Sequence, residues 1–154
     1  MLRVMGRANV RLRQIAQYVA KGIAADWARA YVPGEPKWHP IASEPVRVWC
    51  RTIWAPDAVG VFVCHNEYTS EPNPGGFSSE PIENFPIRVR LPQLWEEQVE
   101  LYEITDAGTG EPTTLPIKDG EVRFTVPSVK VSKWYLLKHL PSSVGGSLME
   151  EKRP

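Results

Sequence analysis

Four carboxylates, Glu67, Glu71, Glu80 and Glu83, crowd one stretch of this chain. Two acids facing each other across roughly 5 to 10 Å are the equipment of glycoside bond cleavage. That chemistry needs fixed geometry. The stretch that carries them, residues 66–85, is rich in Pro, Gly, Ser and Asn and reads as a loop, so the expectation is a solvated acidic loop. Cys64-His65, with His39 and His139, is the only grouping that suggests a metal. Neighbours on a strand point to opposite faces, so Cys64 and His65 do not share an ion, and neither metal nor cofactor is expected. No Ser or Cys stands at a spacing that marks a base and its orienter. The remaining chemistry is contact. Trp54, Tyr68 and Phe77, with Asn66, Glu67 and Asn73 as hydrogen-bonding neighbours, are the candidates for a site that stacks on sugar rings or on a partner. The competing reading is that these aromatics fold back to plug the end of the domain.

These residues sit in a region of short strands. Val48 and Cys50 alternate with Arg47, Trp49 and Arg51. Val59-Gly60-Val61-Phe62-Val63-Cys64 is nearly all apolar, as in a strand covered on both faces. Ile87, Val89 and Leu91 alternate with Arg88 and Arg90. Val99 to Ile104 and Trp134 to Lys138 are further strands. Asp119-Gly120, between two extended runs, is the strongest hairpin signal in the chain, with Val122, Phe124 and Val126 facing inward. The fold class expected is mainly β: an antiparallel, immunoglobulin-like sandwich of roughly six to eight short strands, preceded by one amphipathic helix.

The organisation expected is a helical segment over 1–31, a Pro-rich linker over 32–45, the sandwich over 46–140 and a flexible tail over 141–154. Ile15, Val19, Ile23, Trp27 and Tyr31 recur every four residues and predict a helix over 9–31, with Asn9 as its N-cap and Pro33-Gly34 as its end. Three uses are open for it. It packs on the sandwich, it inserts into a partner, or it is an organelle-import sequence. Arg3, Arg7, Arg11, Arg13 and Lys21 stand without an acid through residue 25, as import requires, although Ser is absent there.

Eighteen basic and eighteen acidic residues cancel, which argues against a nucleic-acid binder. No apolar run approaches the ~18 residues of a membrane span. No secretory signal is visible, and a cytoplasmic or mitochondrial location is expected. Cys50 and Cys64 are too few to build a disulfide scaffold. Both are expected as small buried residues, with one bond between neighbouring strands as the alternative.

The order of pieces resembles a known architecture. Val46 to Arg51 leads into a turn; Val61-Phe62-Val63-Cys64-His65-Asn66 ends in Asn before a long polar loop. Ile87 to Pro92 closes in Leu-Pro, and Asp119-Gly120 opens Val122-x-Phe124-Thr125-Val126-Pro127. This looks like the C-terminal β-sandwich that follows the catalytic barrel in several glycoside hydrolase families, over about residues 45–140. The resemblance implies a non-catalytic module that packs on a catalytic domain and at times contacts sugar. The first forty residues are far too few for a barrel. The expectation is therefore an accessory module, not itself an enzyme, meeting a protein partner or catalytic domain through the helix and linker and a polysaccharide through the loop aromatics. The alternative is a structural subunit of a large, mitochondrial assembly, suggested by the basic helix and by the Pro-rich arm around Trp38.

Overall fold

The alternating segments become strands wherever the sequence places β-branched and aromatic residues at every second position. The computed structural model describes residues 2–32, 47–66, 69–70, 77–78 and 80–140; side chains are described from Asn9 onward and not at 69–70 or 77–78. In chain order the elements are α1 (Leu2–Lys21), β1 (Ile23–Ala25), β2 (Ala28–Ala30), β3 (Val48–Trp54), β4 (Ala58–His65), β5 (Thr69–Ser70), β6 (Phe77–Ser78), β7 (Ile82–Arg90), β8 (Gln98–Thr105), β9 (Gly108–Thr109), β10 (Thr113–Pro116), β11 (Glu121–Val129) and β12 (Ser132–His139). One sheet runs β1-β3-β4-β12-β8-β10, with β9 beside β8; a second runs β11-β7-β2; β5 and β6 pair with each other. All pairings are antiparallel.

The inner faces of the two larger sheets share one apolar core. Val59, Val61, Val63, Val99 and Leu137 come from the first sheet and Phe85, Ile87, Val89, Val122 and Val126 from the second. The alternation read from the sequence at 87–91 and 122–126 is the alternation of burial. The central strand β4 is covered on both sides. Its outer face meets α1 in a second cluster, where Ile15 packs with Ala58, Ile104 and Leu136 beside Tyr18, Phe62, Tyr102 and Trp134. Arg11 pairs with Asp106 at 2.6 Å, and Gln14 donates to the Thr105 carbonyl, so the amphipathic helix is seated on the sandwich.

Four expectations are corrected. The helix expected over 9–31 ends at Lys21, and Asn9 lies inside it. The four-residue stripe does not hold: Ile15 is buried but Ile23 is 76% exposed. At Gly22 an added Cβ would stand 2.2 Å from Ile53 Cγ2 and 2.7 Å from the Tyr18 carbonyl, so the backbone runs closer to β3 than any side chain permits. Beyond it the chain takes up β3 edge pairing, Ile23 opposite Trp54 and Ala25 opposite Thr52, which overrides local helix propensity.

Second, Asp119-Gly120 makes a tight turn with φ of 54° and 72°, and Lys118 and Glu121 exchange both backbone hydrogen bonds. The turn has the left-handed pair expected of a hairpin, but the ladder stops at that bridge. β10 goes on to pair with β8 and β11 with β7, so the turn carries the chain from one sheet to the other. Third, the loop expected over 66–85 is shorter at its end, because β7 begins at Ile82. Fourth, Cys50 is buried but Cys64 is exposed. Cys50 stands opposite Val63 and Trp49 opposite Cys64, so the two thiols lie on opposite faces and both are free. Burial pushes the Cys50 thiol up to about 12, with Cys64 a smaller contributor. Partial desolvation also raises the Cys64 thiol. The linker from Pro33 to Pro45 and the tail from Pro141 lie outside the described residues.

Candidate functional site: an arginine-lined groove on the smaller sheet

Of the sequence-derived candidates, the two whose side chains are described, Trp54 and Asn66, lie apart. Trp54 ends β3 opposite Val59, whereas Asn66 follows β4 at the end where Val48 faces His65. At about 3.3 Å per residue that separates them by roughly 20 Å. Trp54 is half-buried, with its ring against the core and against Trp27 at 4.7 Å between centroids. Asn66 is exposed, and its backbone N–H donates to the Arg47 carbonyl. Glu67, Tyr68 and Asn73, the side chain of Phe77 and the acid Glu71 lie outside the described residues; Glu80 and Glu83 are exposed.

A different group converges. Between β1 and β2 the chain crosses from the edge of one sheet to the edge of the other through Asp26 and Trp27. Three contacts fix that crossing. The buried Thr52 hydroxyl donates to the Ala25 carbonyl and accepts from the Trp27 N–H at 3.4 Å, and the Arg90 N–H donates to the Trp27 carbonyl at 2.9 Å. Trp27 is thereby held at the surface, 40% exposed. Trp54 supports its ring from beneath, and the Arg90 guanidinium lies 4.8 Å from the ring centroid.

Beside this stack runs a row of arginines. Arg29 of β2 stands opposite Arg88 of β7, and Arg88 stands opposite Arg123 of β11. Like charges directly opposite each other destabilise a sheet, so the row needs partners. Asp26 accepts from Arg29 at 3.1 Å and from Arg51 at 3.0 Å. Glu121 lies 3.5 Å from Arg88 and 3.9 Å from Arg123. Each of these two carboxylates is shared by two guanidinium groups.

Asp26, Trp27, Arg29, Arg88, Arg90 and Glu121 line an open depression of about 270 Å³. A second depression, of about 430 Å³, is lined by Pro116, Lys118, Asp119, Glu121 and Arg123. The two meet at Glu121 and form one groove over the outer face of the smaller sheet, with five cationic side chains against three carboxylates. Asp26, Arg29, Arg90 and Glu121 are tied to neighbouring groups, and the lining faces solvent, which suits recognition of an extended polar ligand. The sequence carried one sign of it, the alternation of Arg88 and Arg90 with the core residues of the same strand. Which other arginines join them is set by strand register, and the four-residue spacing of Trp27 points to a helical stripe rather than to this crossing.

No family model and no curated protein matches the chain. Its structural neighbours are glycoside hydrolase chains. It is similar to α-L-fucosidase isoenzyme 2 from Paenibacillus thiaminolyticus over 74% of its length and 15% of that chain, at 10% identity and a TM-score of 0.48. It is similar to a GH30 endoxylanase from Clostridium papyrosolvens over 65% of its length and 22% of that chain, at 8% identity and a TM-score of 0.38. A bifunctional glucanase-xylanase from a metagenome library matches 60% of this chain and 16% of its own, at 15% identity and a TM-score of 0.37. The chain thus spans about a fifth or less of these proteins.

Proposed function

We propose that this chain is an accessory β-sandwich module of the kind that accompanies carbohydrate-active enzymes, and that it binds glycan without cleaving it. The observation that carries this reading is the groove of the smaller sheet, where Trp27, Arg90, Arg29, Asp26 and Glu121 are tied to their neighbours by backbone, ring and ion-pair contacts and open to solvent. An open polar groove with an aromatic among its lining residues suits holding a chain of sugar rings. The strand-and-turn order over residues 45–140 supports the same reading. The solvent-exposed part of α1, flanked by the exposed Val10 and Leu12, is the surface the module would turn toward a catalytic domain or other partner.

Titration of the chain with neutral and acidic polysaccharides, followed by intrinsic tryptophan fluorescence and calorimetry, tests this function. Saturable binding that Trp27→Ala or Arg90→Ala weakens is expected. Flat titrations across the whole set would remove the glycan reading, and release of reducing ends would remove the non-catalytic one.

A further inference from the structure

We infer that the groove takes a carboxylate-bearing polysaccharide, a chain with uronate residues, in preference to a neutral glycan; this rests on the reading that the smaller sheet contacts glycan. The first argument is charge. Arg29, Arg88 and Arg123 stand side by side across three strands, and the groove as a whole holds more cations than anions among its described lining residues. Asp26 and Glu121 offset part of the repulsion within the row, and an anion placed above it would offset more.

The second argument is shape. The Arg90 guanidinium carbon lies 4.8 Å from the Trp27 ring centroid, so the aromatic ring supports the cation at the groove. A guanidinium fork matches the two oxygens of a carboxylate, and an aromatic support keeps the fork ordered before the ligand arrives. Arg29 is likewise held, by the Asp26 carboxylate and by the carbonyls of Asp26 and Ala28.

The third argument separates a uronate chain from a polyphosphate. Asp26, Glu121 and Asp119 lie among the cations of the same groove. These carboxylates accept hydrogen bonds from sugar hydroxyls, which every unit of a uronate chain offers and a phosphate group cannot. A ligand with separated carboxylates and many hydroxyls satisfies both sets of groups, and a nucleic acid satisfies one.

The experiment is calorimetry and affinity electrophoresis of the full chain with polygalacturonate, with the same polymer after reduction of its carboxyls, and with a single-stranded oligonucleotide. Binding of polygalacturonate is expected to weaken with salt. Carboxyl reduction is expected to weaken it by ~10-fold or more, and Arg90→Ala or Arg123→Ala by ~10-fold each. Arg90→Lys, which keeps the charge and loses the fork, is expected not to restore it. The Arg123 side chain is 74% exposed, so its removal leaves the core intact and covers the case in which Arg90→Ala fails to fold. Equal binding of the reduced polymer would overturn the preference while leaving a glycan module standing. Absence of binding to either polymer would overturn both readings. Oligonucleotide binding as tight as polygalacturonate binding would show a general polyanion surface and overturn the assignment to uronate.

Discussion

The Arg90 guanidinium lies 4.8 Å from the centroid of the Trp27 indole, and the backbone N–H of the same arginine donates to the Trp27 carbonyl at 2.9 Å. The two residues are far apart in sequence and tied twice, once by main chain and once by side chain. An exposed pair of this kind contributes about 0.5–1 kcal/mol. In a double-mutant cycle of Trp27→Ala and Arg90→Ala, urea denaturation should give a coupling energy of that size. Strictly additive losses would mean that the two side chains are neighbours without interaction.

Gly22→Ala should destabilise the protein, although Ala is the better helix former. The added methyl would meet Ile53 Cγ2 at 2.2 Å and the Tyr18 carbonyl at 2.7 Å. Overpacking of this type costs about 1–3 kcal/mol. A lower melting temperature checks it; a higher one would mean that α1 shifts freely on the sheet.

Asn84 holds φ at 51° inside β7, at the place where β11 carries Pro127. Two exposed residues in succession, Glu83 and Asn84, break the alternation there, yet Ile82 and Phe85 are both buried. The left-handed residue lets the strand resume on the correct face. Asn84→Gly should be tolerated within about 0.5 kcal/mol, and Asn84→Val should cost about 1–2 kcal/mol. Chemical denaturation of the pair measures the difference, and equal stabilities would refute the role given to backbone strain.

The two thiols should differ in reactivity. Cys64 is exposed and should react with a thiol reagent in the folded protein, whereas Cys50 should react only after unfolding. The Cys50 thiol ionises near 9 in the open chain and near 12 when buried. Its contribution to stability is therefore complete below about pH 9 and is lost as pH rises toward about 12. Burial raises the Tyr135 hydroxyl in the same direction, from a starting value of 10. Stability measured from pH 8 upward should fall, and Cys50→Ala and Tyr135→Phe should each flatten part of that fall. An unchanged slope in both variants would locate the alkaline sensitivity elsewhere.

Much of the sandwich was legible because inward faces such as those of β7 and β11 are written in period two, as at Ile87, Val89 and Leu91. The Asp119-Gly120 turn was legible for its φ values and misleading for its pairing, since Leu115 finds its partner in Val99. The end of α1 was hidden, because it is decided by the approach of Gly22 to Ile53 and not by nearby residues. The groove was hidden for a related reason. Arg29, Arg88 and Arg123 are unremarkable on their own strands and become a row through register. Trp54, which the sequence suggests as a contact residue, packs against Trp27 instead.

The short passage from Ile23 to Ala30 borders both layers, along β3 on one side and β7 on the other. It works as a latch. One proteolytic nick there would bare two backbone rims together, each a row of N–H and C=O groups ready to recruit a stranger's strand. A clipped molecule would head for aggregates, which makes this passage the weak seam of the whole body.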